Sequence, residues 1–318
     1  MFKYFLYFSI LFFTHFLKAQ SELPWLFRWQ DKQASKHIHK YLKHDTLIAT
    51  SSATIHLHYT NIDTTKQNVL MLHGMGLNAR TNWYNQIEPF AREFNVLMPD
   101  LIFFGESVSN TKDYSIEFQL KQLNEVLEKL KITKPVTVVG FSYGGLTAAM
   151  FNELHHQKVN KLIIIDGPVK YFSGTTSDSL AKAVGVTSLG NVIAPTNSQE
   201  FDAMQKAAMA KPIKINNRLK EKVIKYVFLP TKSIRNEQIA YLLKHQNTYQ
   251  SYNYNLSCTS TLLIWGEKDG IIPLSVGETL HRNFPQTTKL VTFPNAKHDA
   301  HFSESEKVNK EMIDFIKH

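Results

Sequence analysis

The stretch "VVGFSYGGLT", Val138–Thr147, places one serine between glycines at the end of an apolar run. A segment with a helical pattern follows. A Gly-x-Ser-x-Gly sequence between a strand and a helix is typical of a nucleophile elbow, a sharp turn that has glycine where a Cβ would clash. Such a turn lifts the Ser142 hydroxyl above the sheet edge, beside the positive end of the helix dipole. The stretch predicts that Ser142 is a nucleophile, and the alternative is a small residue in a structural turn.

A serine nucleophile needs a base, and the base needs an orienting acid. His298 lies in "FPNAKHDAHF" directly after the last predicted strand, and Asp269 follows the preceding strand in "LLIWGEKDGIIP". The order serine, aspartate, histidine is the chain order that accompanies this kind of elbow. Two competitors remain. His301, expected in a pocket or on the surface, is the rival base, and Asp166 at the end of "LIIID" is the rival acid.

The loop after "NVLML" is the expected source of an oxyanion-hole donor. It reads His73-Gly74-Met75-Gly76, and we expect the Met75 N–H to act together with the Tyr143 N–H. His73 is expected to bond within this loop and to have a structural role. This chemistry requires neither a metal ion nor an organic cofactor, and none is predicted. The residues expected to contact a substrate are Gly74, Phe103 and Phe104.

The pattern of apolar residues predicts the fold class. Near-continuous apolar runs such as "NVLMLHG", "PVTVVGFS" and "KLIIIDG" are typical of strands buried on both faces of a parallel sheet. Helical patterns separate them, as in Ser115–Leu130. The alternation predicts an α/β protein with a mostly parallel, doubly wound sheet. Residues 168–250 lack strand signals and predict a helical cap inserted between two parts of the core, 46–167 and 251–318.

The first twenty residues, "MFKYFLYFSILFFTHFLKAQ", predict a secretory signal peptide. Lys3 supplies a positive start, an apolar run follows, and Ala19 is a small residue suited to cleavage. An uncleaved membrane anchor is the alternative, although the run is shorter than the roughly 20 residues that a membrane-spanning helix needs. We therefore expect an exported protein, either periplasmic or secreted. Residues 21–45 are predicted to form an N-terminal helical segment.

Composition and charge narrow the classes further. With 43% hydrophobic and 20% charged residues the chain is expected to be globular rather than disordered. Cys258 is the only cysteine, so no intramolecular disulfide forms, and we expect this side chain to be buried.

Most of the net charge of +9 lies in one segment, because residues 167–245 contain 12 Lys/Arg and 5 Asp/Glu. This basic cap is either a solvated face or a surface that contacts anionic lipid. No recognition motif accompanies the charge, so a nucleic-acid partner is not predicted. The sequence does not indicate an oligomeric state.

From about Thr46 to its end the chain resembles the α/β-hydrolase superfamily. The motifs that carry the resemblance are "LHGMG", "PDLIFFGES", "GFSYGG", "LLIWGEKDGIIP" and "NAKHDAHF". Within the superfamily, "PDLIFFGES", "SQEFDAMQKAAMAKP" and "WLFRWQDKQ" look most like monoacylglycerol-lipase and lysophospholipase-like esterases. The resemblance implies a serine hydrolase that cleaves carboxylic esters, either of a single-acyl lipid or of short to medium chains, through an acyl-enzyme on Ser142.

The chain departs from the pattern of this family at three positions. Phe103 and Lys297 stand where many relatives have glycine, and Ser305 stands where proline is expected. Two alternatives for function also remain. One is another serine-triad reaction on the same scaffold, such as C–C bond hydrolysis, amide hydrolysis or acyl transfer. The other is a receptor-like binding protein that keeps the fold without turnover.

Overall fold

The computed structural model describes residues 35–76, 78–170 and 173–318. The predicted signal peptide and residues 21–34 of the predicted N-terminal segment lie outside the described residues. Residues 35–41 are helical, and the first strand begins at His44, inside the range predicted to be helical. Among the helices that the structure describes, none combines the length and the apolar character needed to cross a bilayer.

Nine strands of the described chain form one sheet. They are β1 (His44–Ala49), β2 (Ala53–Tyr59), β3 (Asn68–Leu72), β4 (Asn95–Pro99), β5 (Val108–Ser109), β6 (Val136–Phe141), β7 (Val159–Ile165), β8 (Thr261–Gly266) and β9 (Thr288–Phe293). Their spatial order is β1-β2-β4-β3-β6-β7-β8-β9, with β5 paired to β2. Strand β2 pairs antiparallel with β1, β4 and β5, and all other pairs are parallel.

The continuous apolar runs arise because both faces of the sheet are covered. Along β3, Leu70 and Leu72 join one apolar layer, and Val69 and Met71 join the layer on the opposite face. Because alternate residues of a strand point to opposite faces, every position of such a strand must be apolar. The predicted mostly parallel, doubly wound sheet is confirmed.

Helices flank the sheet and also form the inserted cap. After the helical residues 35–41, the α-helices of the described chain are α1 (Ala79–Asn82), α2 (Tyr84–Glu93), α3 (Ile116–Lys129), α4 (Tyr143–Leu154), α5 (Gly174–Ala183), α6 (Leu189–Ile193), α7 (Ser198–Ala208), α8 (Asn217–Val223), α9 (Lys232–Lys244), α10 (Gln246–Ser251), α11 (Leu274–Asn283), α12 (Ala300–Ser303) and α13 (Ser305–Lys317). Helix α3 begins where the Ser115 side chain accepts a hydrogen bond from the Phe118 N–H at 3.1 Å.

The cap consists of helices α5 to α10 and stands between the end of β7 and the start of β8. Four of its apolar side chains form a cluster separate from the two layers of the sheet: Phe201, Val223, Ile224 and Phe228. Three of them, Val223, Ile224 and Phe228, lie in the lysine-rich part of the cap and are buried, so the basic segment has a small apolar core of its own.

Cys258 is exposed, which corrects the expectation of a buried thiol. The reason is that β8 begins only at Thr261, so Cys258 lies in the turn that precedes the strand. Its Sγ lies 3.3 Å from the Asn255 carbonyl oxygen and 3.7 Å from His156 Nε2.

Candidate active site

Ser142 sits in a strained turn between β6 and α4. Its φ is +54° and its ψ is −122°, a backbone conformation that costs a non-glycine residue free energy and recurs at functional sites. A Cβ on Gly140 would lie 2.1 Å from the Gly144 oxygen, and a Cβ on Gly144 would lie 2.1 Å from the Leu72 oxygen. Both glycines are therefore required, because Gly140 packs directly against the first turns of α4 and Gly144 packs against the end of β3.

The three residues predicted to form a triad lie within hydrogen-bond distance. His298 Nε2 is 2.9 Å from Ser142 Oγ, and His298 Nδ1 is 2.7 Å from Asp269 Oδ2. The other carboxylate oxygen, Asp269 Oδ1, accepts the N–H groups of Ile271 at 2.7 Å and Ile272 at 2.9 Å. These two amides fix the carboxylate, so that it holds the imidazole with Nε2 toward the serine.

Asp166, the rival acid, lies behind the triad. It is fully buried, and its Oδ1 accepts the Gly266 N–H at 2.9 Å. Burial and the nearby Asp269 charge raise the pKa of Asp166 well above its ordinary value, which favours the neutral acid. The His298 ring bonds to Asp269, so Asp166 does not orient the base in this geometry.

His301, the rival base, is neither in a pocket nor on the surface. It is completely buried, and its ring packs 4.0 Å from the Phe141 ring and 4.2 Å from the Phe302 ring between centroids. Burial lowers the pKa of His301 to about 3. Because α12 turns its first residues into the core, His301 is an aromatic packing residue rather than a base.

The loop after β3 is held in one shape by His73. The buried His73 ring bonds through Nδ1 to the Gly74 oxygen at 2.8 Å, while its Nε2 accepts the Leu101 N–H at 2.9 Å. That pair of contacts requires the neutral tautomer with hydrogen on Nδ1, and burial lowers the pKa of His73 to about 4. Met75 follows in the loop and borders the same cavity as Ser142. Tyr143 is the first residue of α4, so its N–H has no acceptor within the helix.

A cavity of about 740 Å³, part of it open to solvent, lies above Ser142 between the core and the cap. Its walls are mostly apolar. Lys170 is the one charged residue among the described lining residues, and its Nζ bonds to the Gln250 and Tyr252 carbonyl oxygens at 3.1 and 2.7 Å. The apolar lining residues are Met75, Leu146, Pro168, Leu189, Ile193, Ile239, Leu242, Leu243, Ile271 and Ile272.

Gly74, Phe103 and Phe104, which we expected to contact substrate, are not among the residues that line this cavity. Gly74 is buried against the Phe141 ring. Phe103 has a φ of +72°, a region that favours glycine, and its carbonyl oxygen accepts a hydrogen bond from the Arg235 guanidinium at 2.7 Å. The same guanidinium lies 3.4 Å over the Phe104 ring. The buried Arg235 of the cap, which sequence reasoning missed, therefore holds these two residues behind the cavity wall.

Sequence reasoning also missed the contacts between α7 and the loops of the triad. The Ala210 N–H donates to Asp299 Oδ2 at 3.0 Å, directly beside His298. The Gly270 N–H, directly beside Asp269, donates to the Ala207 oxygen at 3.1 Å. The Lys297 ammonium bonds to the Lys206 oxygen, which gives a role to the residue that replaces the usual glycine. The end of one cap helix thus ties down the loops of both the base and the acid.

Two groups of described residues bring three metal-type donor atoms within 4.8 Å of one another. One group is Asp166, Asp269 and His298, and in it His298 already bonds to Ser142 and Asp269. The other is Asp45, His56 and His58, which lies on the first two strands, away from the cavity.

Comparison with known proteins gives one fold, and the relatives are hydrolases of more than one kind. Residues 67–305 match the family model for the α/β hydrolase fold. A 2-hydroxy-6-oxononadienedioate/2-hydroxy-6-oxononatrienedioate hydrolase of Paraburkholderia xenovorans (strain LB400) is 24% identical over 85% of this chain and 94% of its own. Lipase 3 of Moraxella sp. (strain TA144) is 26% identical over 71% of this chain and 70% of its own.

A solved structure assigned as a lipase, from Acinetobacter baumannii AYE, superposes with a TM-score of 0.75 at 18% identity and covers 96% of this chain and 97% of that one. At that identity the superposition is evidence for the fold alone, and the shared fold agrees with the sheet and the cap described above. With the elbow, the Ser142–His298–Asp269 geometry and a family match across most of its length, the chain belongs to the α/β-hydrolase fold family.

Proposed function

We propose that this hydrolase cleaves carboxylic esters of apolar acyl groups through an acyl-enzyme on Ser142. The observation that carries the proposal is the apolar cavity that is lined by Ser142, whose Oγ lies 2.9 Å from His298 Nε2. The family match supports hydrolysis in general, and the character of the cavity wall supports the narrower class of substrate.

The geometry supplies each step of such a reaction. His298 Nε2, 2.9 Å from Ser142 Oγ, takes the hydroxyl proton as the oxygen attacks the ester carbonyl. Asp269 holds the His298 tautomer and stabilises the imidazolium. The Met75 and Tyr143 amides are the proposed donors to the tetrahedral oxyanion, each worth about 3 kcal/mol. His298 then returns the proton to the departing alcohol, and water completes hydrolysis of the acyl-enzyme by the same route.

The wall of the cavity favours an uncharged acyl chain. The single described cation in the wall, Lys170, already bonds to backbone carbonyl oxygens of the cap. A substrate carboxylate in this cavity would lose water without gaining a free cationic partner, which is costly. Aliphatic side chains from both the core and the cap, by contrast, would bury methylene groups at about 0.8 kcal/mol each.

The test is a panel of p-nitrophenyl esters from acetate to laurate, assayed with the purified protein and with Ser142→Ala. We expect kcat/KM to rise from acetate to a longer chain and then to fall when the cavity is full. Ser142→Ala should lose activity by about 10⁶-fold, as removal of a triad nucleophile does. A fluorophosphonate probe should label the wild type and not the variant. Absence of labelling would contradict the proposal and favour the non-catalytic alternative.

C–C bond hydrolysis is the second candidate, and the match to the oxononadienedioate hydrolase along nearly its whole length favours it. That substrate is a dianion, whereas the lining of this cavity is apolar. The two candidates separate in one assay with a 2-hydroxy-6-oxo-dienedioate and an uncharged alkyl ester of equal length. A larger kcat/KM for the dianion would overturn the proposal of an ester substrate.

Export and membrane contact remain further proposals. The apolar leader supports export. The exposed cap lysines Lys211, Lys214 and Lys225 support contact between the cap and an anionic lipid surface, from which an acyl chain would enter the cavity.

A further inference from the structure

A second group of chemically active side chains lies on the first hairpin of the sheet. Strands β1 and β2 pair antiparallel, with Asp45 directly opposite His58. His56 stands two residues before His58, so both rings project from the same face of β2. The hairpin is at the sheet edge, since β1 is the first strand in the spatial order. The proposed ester reaction uses none of these residues.

His58 leaves a buried nitrogen without a partner. Its side chain is 3% exposed, and its Nδ1 makes no hydrogen bond within the described residues. The nearest carboxylate oxygen, Asp45 Oδ1, lies 3.5 Å from this nitrogen. An imidazole nitrogen in such a position costs free energy unless something binds to it. The orphaned nitrogen points to a missing ligand.

His56 is oriented in the way that metal-binding histidines usually are. Its Nδ1 is 2.8 Å from Asp100 Oδ2, and Asp100 is completely buried and also accepts the Ala79 N–H at 2.8 Å. This contact fixes the ring so that Nε2 points to Asp45 Oδ1, 2.6 Å away. A carboxylate behind a histidine is the arrangement that orients an imidazole toward a metal ion.

We propose that Asp45, His56 and His58 bind one divalent transition-metal ion, and that Zn²⁺ fits this donor set. Their donor atoms already lie within 4.8 Å of one another. Two imidazole nitrogens and a carboxylate oxygen are typical zinc ligands, at about 2.0–2.2 Å from the metal. Water or His39, whose Nε2 is 3.9 Å from Asp45 Oδ2, supplies the fourth ligand.

The movement required is small. Tetrahedral ligands at those bond lengths lie about 3.3 Å apart. The distance of 2.6 Å between His56 Nε2 and Asp45 Oδ1 must therefore lengthen to about that value. The metal takes the place of the hydrogen between these two groups. The side chain of Asp45 is one-third exposed on an edge strand and has room to shift. Two positive charges near His58 oppose a cation there, that of His56 while it is protonated and that of Arg80, whereas the carboxylates of Asp45 and Asp100 favour one.

The consequence of such a site is mechanical. The metal would join the two edge strands through side chains, in addition to their backbone ladder, and with His39 it would also hold the helical residues 35–41 onto the sheet. Its binding to the native state would raise stability with metal concentration. Catalysis at Ser142 would not depend on it.

The test is a Zn²⁺ titration of the chelator-treated, purified protein against a chromogenic competitor. All proteins carry Cys258→Ser, because the exposed Cys258 and His156 form a separate pair that attracts zinc. His58→Gln is the test variant. His44→Gln is the matched control, since His44 lies on the same hairpin and bonds to Asn61 instead. We expect one site, weakened at least about 100-fold in His58→Gln, which exceeds the usual effect of losing an outer partner, and unchanged in His44→Gln.

Zinc affinity that is equal in His58→Gln and in the control would overturn the proposal. Crystals of the protein soaked in zinc chloride test it without any substitution. An anomalous peak between His58 Nδ1 and Asp45 supports the site. A peak elsewhere, or none, means that His56 simply bridges two carboxylates. Turnover of a short ester should be the same with and without zinc, which keeps this result separate from the proposed function.

Discussion

The sheet buries its apolar side chains in two continuous layers, and a fully buried strand such as β3 contributes alternate residues to each of them. The cap buries Phe201, Val223, Ile224 and Phe228 in a small cluster of its own, and its other apolar residues pack against one layer of the sheet, as Val192 does, or line the cavity, as Leu242 does. The sheet therefore positions the chemistry, and the cap shapes the space that a substrate enters. Several polar contacts join the two regions, and those of α7 lie beside the acid and the base.

The largest expected effect tests which carboxylate of the core orients the base. Asp269→Asn should lower kcat/KM by about 10⁴-fold, because the imidazole loses the partner that fixes its tautomer. Asp166→Asn is the matched control, since it keeps the shape of a side chain that the structure holds as a neutral acid. It should cost less than about tenfold, well short of the loss of a true triad acid. The reverse order of the two effects, measured by steady-state kinetics, would assign the role to Asp166.

A stability experiment separates the sheet from the cap. Phe90 of α2 and Phe201 of α7 are both completely buried, and a Phe→Ala change at such sites costs about 3–5 kcal/mol. Phe90→Ala should lower the global free energy of unfolding by that amount in urea titrations. Phe201→Ala should mainly reduce hydrogen-exchange protection within residues 198–228, because its cluster is separate from both layers of the sheet. An equal loss of protection in every strand would mean that the two regions unfold together.

Filling the cap side of the cavity should change chain length preference without touching the chemistry. Ile239 of α9 lines the cavity, and Ile239→Trp reduces its depth. The ratio of kcat/KM for octanoate over acetate esters should fall about 10- to 100-fold, since each methylene excluded costs roughly 1–3 kcal/mol of transition-state binding. The acetate rate itself should stay close to that of the wild type. Equal losses for both esters would show that Ile239 supports the triad rather than the cavity.

The buried acid of the core should make stability depend on pH. Burial, and then the Asp269 charge, raise the pKa of Asp166 above its ordinary value of 3.8. Stability from the neutral acid is fully present below the unfolded pKa and is lost as pH rises through the folded pKa. Asparagine cannot ionise, so the free energy of unfolding of Asp166→Asn relative to wild type should increase from about pH 4 upward. A difference that is flat with pH in urea titrations would contradict the neutral acid.

The smallest expected effect concerns the outer surface of the cap. Lys214→Gln should weaken binding to vesicles with anionic lipid by about 1 kcal/mol, or about fivefold, if this face contacts membranes. Lys121→Gln, an exposed lysine on α3 outside the cap, is the control. Added salt should weaken wild-type binding. Binding that is absent, or equal in both variants, would leave the cap lysines as a solvated face.

The sequence allowed the fold and the members of the triad to be named because both are encoded locally. Near-continuous apolar runs predict the buried strands, and the residues that form the turn around Ser142 are consecutive in the sequence. Chain order is the same for Asp166 and Asp269, so the choice of Asp269 rested on its place after the strand that precedes the last one, and the distances in the structure agree with it. What these cases share is that a short stretch carries the whole signal.

The errors fell where distant segments meet. Nothing within the local sequence of Phe103 and Phe104 indicates that Arg235, more than 130 residues later, contacts both of them and holds them outside the lining of the cavity. His301 was placed in the pocket or on the surface, because a histidine is polar in sequence, yet its ring lies among aromatic side chains. The contacts of α7 with the loops around Asp299 and Gly270 could not be predicted from the sequence either. On the cap side they use only backbone atoms of alanines, and these leave no pattern of side chains.

Those backbone contacts have a consequence for protein engineering. A chimera that carries a foreign cap on this core must supply an acceptor for the Gly270 N–H and a donor to Asp299. Without them, the loops that carry the acid and the base lose hydrogen bonds that hold their positions. The contacts use main-chain groups only, so the partly exposed side chain at Ala210 can vary in such a design, whereas the buried Ala207 must stay small. A library of grafted caps should therefore keep the path of the backbone at this helix end and the contact of Arg235 with the core, and vary the exposed positions of the cap.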